Sequence, residues 1–201
     1  MRLAHRRKSR RASPIAGSEA RLRVVGNRRP PPADVWIDDR LVVRDSPIEG
    51  RGLFFTEAFL VGTTVLRLGG RLVSSSELDA LLRRADSEPA SPYVDTIAVY
   101  GDAHLVLPPS TPIHFGNHSC DPTLWHVGPY ELATRRDVEA GEEVTIDYGT
   151  TSGAEGFSLS CRCGAAVCRG EVTSADWKRS ELQDRYRGHW VPALQEQIDS
   201  G

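Results

Sequence analysis

His114-Phe115-Gly116-Asn117-His118-Ser119-Cys120-Asp121-Pro122 is the stretch on which the reading of this chain turns. It sets two consecutive polar side chains, Asn117 and His118, ahead of a Ser-Cys-Asp-Pro turn, and it holds one of only four cysteines. The other three, Cys161, Cys163 and Cys168, form a C-x-C-x4-C cluster downstream. Three thiols on a tight loop need a fourth donor to complete a tetrahedral zinc site with sulfur about 2.3 Å from the metal, and Cys120 is the thiol left over. Such a site would tie the C-terminal part of the chain to the Asn117-His118 loop, and metal binding there becomes local folding free energy. The competing readings are four unrelated free thiols, or a redox C-x-C, which leaves Cys168 without a role. A nucleophilic Cys120-His118 pair is disfavoured, because the spacing makes productive geometry awkward and zinc would consume the thiol.

Working outward, the segment Gly141-Glu142-Glu143-Val144-Thr145-Ile146-Asp147-Tyr148-Gly149 reads as a strand whose end sets the phenol of Tyr148 beside a glycine. Backbone can pass close to a ligand at such a point, although a strand-end tyrosine is more often a rim residue. Upstream, Ser46-Pro47-Ile48-Glu49-Gly50-Arg51-Gly52 reads as a turn whose two glycines bring backbone groups against a ligand. It lacks the third glycine and the strand–helix setting of a dinucleotide fingerprint, and there is no phosphate-binding P-loop.

The rest of the chain supplies many short strands and few helices. Leu41-Val42-Val43, Leu53-Phe54-Phe55, Thr63-Thr64-Val65-Leu66, Glu131 to Thr134 and Glu143 to Ile146 read as strands, with Thr96–Tyr100 and His104–Leu107 as a hairpin around Gly101-Asp102. Leu78, Leu81 and Leu82 at i, i+3, i+4 behind three serines predict a helix over Ser74–Arg84. Ser174 to Ile198 reads as a helix broken at Gly188 and resumed after Pro192, with Trp177, Leu182, Tyr186 and Trp190 as an apolar stripe for packing. The expected class is mainly β with minor α. The expected organisation is a disordered basic arm at 1–34, a folded domain at 35–150, a cysteine segment at 151–173 and a helical extension at 174–201.

The net charge of −2 conceals a strong polarity. Residues 1–30 hold 10 of the 25 basic residues but one of the 27 acidic ones, so the remainder carries 15 against 26 and lies near −11. An acidic body steers cationic partners at low salt, or serves solubility alone. The run Arg6-Arg7-Lys8-Ser9-Arg10-Arg11 is a candidate nucleic-acid contact, but a solvated tail is the commoner meaning of such a run. No apolar stretch approaches the roughly 18 residues of a membrane span, and no apolar core follows the N-terminal arginines as in a secretory signal. A cytoplasmic protein with reduced or metal-bound thiols is expected, with a nuclear one left open for a eukaryotic source.

Taken in order, Glu49-Gly50-Arg51-Gly52-Leu53-Phe54, then Asn117-His118-Ser119-Cys120-Asp121-Pro122, then Gly141 to Tyr148, then Cys161/Cys163/Cys168, this chain resembles the SET-domain protein-lysine methyltransferases over roughly residues 35–170. The last segment looks like the family's post-SET motif, whose thiols share zinc with the cysteine of the Asn-His-Ser-Cys loop. The resemblance implies several small β-sheets with a pseudoknot at the active site and S-adenosylmethionine as methyl donor. It implies that Gly50, Arg51 and Gly52 lie along the methionine part of that donor, that Asn117 and His118 hold it from the other side, and that Tyr148 stands beside the transferring methyl. It also implies a basic protein or peptide as substrate. The chain departs from the family at His114-Phe115-Gly116, at Thr123 and at Ile146, where many members have Phe or Tyr. Tyr93 and Tyr100 both qualify as the family's second active-site tyrosine. The chain looks like a bacterial stand-alone member, and an inactive SET-like, zinc-stabilised interaction module is the alternative reading.

Overall fold

The apolar runs are short and each is stopped by a glycine, proline or polar turn, so they pair as several small sheets rather than one large one. The computed structural model describes residues 29–88, 94–151 and 156–201. In chain order the elements are β1 (Trp36–Ile37), β2 (Leu41–Asp45), β3 (Arg51–Phe55), β4 (Thr64–Arg67), β5 (Arg71–Ser74), α1 (Ser75–Ser87), β6 (Thr96–Tyr100), β7 (Ala103–Val106), β8 (Asn117–His118), β9 (Leu124–His126), β10 (Glu131–Thr134), β11 (Glu143–Ile146), β12 (Ser158–Ser160), β13 (Glu171–Thr173), α2 (Ser180–Arg185) and α3 (Pro192–Ser200). They form sheets of order β1-β4-β10-β9, β2-β3-β11-β8, β5-β7-β6 and β12-β13.

The second sheet positions the site. β2 and β3 pair antiparallel from Leu41↔Phe55 to Asp45↔Arg51, so the glycine turn caps their hairpin. β3 pairs antiparallel with β11. β11 then pairs in parallel with β8, Thr145 opposite Asn117 and Ile146 opposite His118. The Asn-His segment and the strand that leads to Tyr148 therefore lie side by side. Beneath them Leu53, Phe55, Phe59, Val65, Leu105, Leu124 and Val144 form the main core.

Local chemistry explains the helices. α1 starts on a capping box: Ser74 Oγ accepts the Glu77 N–H while the Glu77 carboxylate accepts the Ser74 N–H. Leu78 turns inward and the helix runs three residues past Arg84. The tail differs from its expectation. Instead of a long first helix there is a 3₁₀ turn at Asp176–Lys178 and a six-residue α2. The cause is Asp176, which the chain turns into the interior to meet Arg169. Gly188 breaks the helix with φ +77° and Pro192 opens α3, as expected. Leu182, Tyr186, Trp190 and Leu194 pack as a separate small core with Trp177 at its edge.

Of the arm assigned to 1–34, residues 29–34 lie against the body: the Gly70 N–H donates to Pro32 O, the Tyr130 hydroxyl to Arg29 O, and Arg29 pairs with Glu131. The Arg6–Arg11 run and Tyr93 fall outside the described residues. Among the described residues no helix is long and apolar enough to cross a membrane.

Candidate functional site

The glycine turn is built by Ser46. Its N–H donates to Gly50 O, and its Oγ accepts the N–H groups of Ile48 and Glu49. The same hydroxyl donates to the Glu143 carboxylate at 2.8 Å. Gly50 sits at φ +51°, a left-handed conformation that glycine adopts without strain, with open space where a Cβ would be. At Gly52 a Cβ would lie 2.2 Å from Glu143 Oε1. The Arg51 guanidinium lies over the Phe115 ring, 4.8 Å from its centre.

Asn117 is buried, and its amide nitrogen is directed into this turn. It lies 2.7 Å from Glu143 Oε1, 3.1 Å from Ser46 Oγ and 3.2 Å from the carbonyls of Glu49 and Arg51. The side chain that sequence reading set on the far side of a bound donor thus fastens the turn itself. His118 is buried beside it. Its Nδ1 accepts the Tyr148 N–H at 3.1 Å, which places the ring proton on Nε2, 3.3 Å from Cys120 Sγ. Burial lowers the His118 pKa to about 4, so the ring is neutral at physiological pH.

Tyr148 follows β11 and opens a 3₁₀ turn in which the Asp147 carboxylate caps the Gly149 N–H. Its ring stands 5.3 Å from that of His118, and its hydroxyl donates to the Gly116 carbonyl at 2.6 Å. Two oxygens, one phenolic and one peptide, therefore converge at the end of β8. Tyr100 ends β6 and packs at the edge of the main core.

The cysteine segment is the loop at the tip of β12–β13, closed by Cys161 N–H to Gly170 O at 2.7 Å. It folds back onto the Asn-His loop. Donor atoms of His118, Cys120, Cys161 and Cys163 all lie within 4.8 Å of one another. Cys168 lies on the same loop but outside that close set. Cys120 Sγ and Cys161 Sγ are 3.8 Å apart, the edge length of a tetrahedron with metal–sulfur bonds of about 2.3 Å. Amide N–H groups point at the sulfurs: Cys120 at Cys163, Cys163 at Cys161, Arg169 at Cys120 and Gly170 at Cys168. Such bonds favour thiolate over thiol. Burial pushes the Cys120 thiol up to about 11. Burial acts on Cys163 too, but the amides of Cys120 and Ala165 and the neighbouring thiols outweigh it and bring Cys163 to about 7. The donor set and its spacing suit a soft divalent ion.

Sequence reading missed the charged cluster behind these groups. Asp147 is 1% exposed and takes both arms of the Arg169 guanidinium at 2.7 Å, while Arg169 Nε donates to Asp176 at 3.0 Å. The Tyr186 hydroxyl donates to Asp147 Oδ2 at 2.9 Å. No local pattern marks a buried Arg or Asp, since charge in sequence normally means surface.

Comparison with known proteins matches residues 50–149 to the SET domain family. The histone-lysine N-methyltransferase trithorax of Drosophila virilis is 33% identical over 142 residues, 65% of this chain but 4% of that protein. The histone-lysine N-methyltransferase SUV39H2 of Gallus gallus is 37% identical over 82 residues, 28% of this chain and 20% of that protein. A SET domain-containing protein of Phaeosphaeria nodorum is 28% identical over 149 residues, 71% of this chain and 21% of that protein. The chain thus spans a small fraction of the curated relatives it matches.

Proposed function

Residues 50–149 are a SET domain, and on that premise we propose that the protein transfers methyl groups from S-adenosylmethionine to a lysine amine of a basic protein segment. The observation that carries this reading is the convergence of the Tyr148 hydroxyl and the Gly116 carbonyl beside the sheet that holds the glycine turn. S-adenosylmethionine, when bound, supplies an activated sulfonium methyl group. The residues fit such a group: the turn at Gly50 leaves backbone open to a ligand, and its shape is fixed from behind by Ser46, Asn117 and Glu143.

In this reading Gly50, Arg51 and Gly52 form one wall of the donor cleft, and the backbone of Asn117 and His118 forms the other. Tyr148 and the Gly116 carbonyl orient the incoming amine and stabilise charge as it develops. A lysine enters as an ammonium ion and must give its proton to solvent, and low-dielectric walls favour the neutral amine. Tyr148 is an orienting group, with no proton transfer assigned to it. Ile146 is smaller than an aromatic side chain and leaves room for a product with more than one methyl, a point that intact-mass analysis decides.

A structural zinc ion held by Cys120, Cys161, Cys163 and Cys168 completes the proposal. When bound, it cross-links the tip of β12–β13 to the Asn-His loop. His118 is assigned as a hydrogen-bond donor to Cys120 and not as a ligand, because its Nδ1 already accepts from Tyr148 and its Nε2 carries the proton. In these terms residues 151–173 act as a post-SET segment and 174–201 as a helical extension with a small core of its own.

The test is incubation of the purified chain with methyl-labelled S-adenosylmethionine and lysine-containing basic peptides, with peptide mapping of the label. Transfer to lysine, together with thermal stabilisation by the donor alone, is expected. Absence of both overturns the reading.

A further inference from the structure

The C-terminal extension lies outside the matched SET domain, yet its polar groups converge on the residues that flank Tyr148 and His118. The Tyr186 hydroxyl reaches Asp147 Oδ2. Asp176 clasps Arg169, which grips Asp147 with its whole fork, and Asp176 is itself held by the Thr173 hydroxyl. Val191 N–H donates to the Thr150 carbonyl, and Arg185 donates to the Cys120 carbonyl. Asp147 in turn caps Gly149 N–H, and its carboxylate lies 3.7 Å from His118 Nδ1.

We propose that Tyr186 and Arg169 are positioning residues of the active site, holding the Asp147-Tyr148-Gly149 turn in register with His118 so that the Tyr148 hydroxyl meets the Gly116 carbonyl. The proposal rests on the methyltransferase reading for its kinetic consequence, though not for its structural one.

The physical case is the cost of the arrangement. Asp147, Arg169 and Asp176 are two carboxylates and one guanidinium, all nearly sealed from water, so the cluster buries a net negative charge. A buried ionic group adds little stability over a packed apolar one, but its directional bonds fix geometry. The extension does not need this cluster for packing. Leu182, Tyr186, Trp190 and Leu194 bury one another through their apolar parts, with the rings of Tyr186 and Trp190 meeting edge to face. What the hydroxyl of Tyr186 adds is one directed bond to Asp147. Each of the two Asp147 oxygens meets one arm of Arg169 and one further donor, Gly149 N–H on Oδ1 and the Tyr186 hydroxyl on Oδ2. The carboxylate is thereby held from both the catalytic turn and the tail.

Tyr186→Phe deletes that bond and keeps the ring in place, so it is the working variant. Arg169→Lys keeps the charge and loses the fork. Arg187→Ala, which breaks only an exposed pair with Asp184 on the same stretch, is the control. The full chain, loaded with zinc, is followed by amide exchange and by methyl transfer from labelled S-adenosylmethionine. The expected result for Tyr186→Phe is faster exchange at residues 147–150 with β2 and β3 unchanged, turnover lower by about tenfold, and donor affinity within about twofold of wild type. In a Tyr148→Phe background the same change costs little further turnover, because both act through one group. Arg169→Lys is expected to follow Tyr186→Phe in both readouts. Unchanged exchange at 147–150 overturns the proposal. So does a turnover loss that simply adds to that of Tyr148→Phe, or one that Arg187→Ala reproduces. A wild-type chain without transferase activity overturns the methyltransferase reading instead, and the exchange data then decide the positioning role by themselves.

Discussion

The hydroxyl of Tyr148 donates to the carbonyl of Gly116 at 2.6 Å, across 32 positions of sequence. That bond makes the phenol oxygen a fixed point, its proton committed to a carbonyl. An oxygen prepared in this way needs no reorganisation when charge develops near it.

Tyr148→Phe should therefore lower turnover by about 10²-fold while leaving donor affinity within about twofold. Losing the bond to Gly116 should cost about 1 kcal/mol of stability. Steady-state kinetics beside a donor-binding titration checks this. Equal losses in turnover and affinity would show that the hydroxyl acts in binding and not in transfer.

Metal removal should act locally before it acts globally. Chelation, or Cys120→Ser, should reduce bound zinc from one equivalent to none, and should speed amide exchange at 156–175 and at 117–120 while β2, β3 and β7 stay protected. The reason is topological: the cysteine loop hangs on β12–β13, a two-stranded sheet that joins no other among the described residues. Elemental analysis paired with exchange mass spectrometry reads both effects. Uniform loss of protection would mean that the main core depends on the ion.

How much of this was legible in the sequence follows from the range of the forces involved. Leu53-Phe54-Phe55 and Val144 to Ile146 announce buried strands by composition, and Ser74 with Leu78 announces a capped helix within five residues. The cysteines announce a cluster because thiols are scarce, whereas the nearness of His118 to Cys120, Cys161 and Cys163 is a product of the fold. β5, β9, β12 and β13 were invisible: each has three or four residues and exists only because a distant partner pairs with it. The long helix expected from Ser174 failed for the same reason, since Asp176 answers to Arg169 and not to its helical neighbours. Arg169 stands beside Cys168 in sequence, but nothing in the sequence tells a buried arginine from a surface one. Asn117 stands out in the sequence as a candidate polar residue, yet its partners Ser46 and Glu143 lie 71 and 26 positions away.

Those partners make Gly52 the more sensitive of the two turn glycines. Gly50→Ala meets open space and should cost only the strain of a left-handed residue, about 1 kcal/mol. Gly52→Ala drives a methyl group into the Glu143 carboxylate, which cannot swing away without giving up Ser46 and Asn117. The turn should loosen, weakening donor affinity by about tenfold or more. Calorimetric titration of the two variants separates them, and similar affinities for both would show that Glu143 gives way freely.

His126 offers a pH signature away from the metal site. It is fully buried on β9, neither ring nitrogen makes a hydrogen bond of good geometry among the described residues, and burial, opposed by the backbone at Gly128, pushes its pKa down to about 4. The neighbouring His189, whose Nδ1 meets the His126 carbonyl and whose ring stacks on Trp125, adds to the same effect. In the unfolded chain the imidazole takes its proton near pH 6.5, and in the folded chain only near pH 4, so between these values the unfolded state binds more protons. Stability from this residue is accordingly full above about pH 6.5 and is lost as pH falls toward 4, by up to about 3 kcal/mol. His126→Leu removes the titration and relieves two unsatisfied nitrogens at nearly constant volume. It should flatten the slope of stability against pH between 4 and 6.5 and be neutral or stabilising at the acid end. Denaturant melts of both proteins across this range give the difference directly, with contributions common to both, including the thiols, cancelling. An unchanged slope would mean that the folded imidazole binds a proton as readily as the unfolded one, and that a polar partner reaches it in solution.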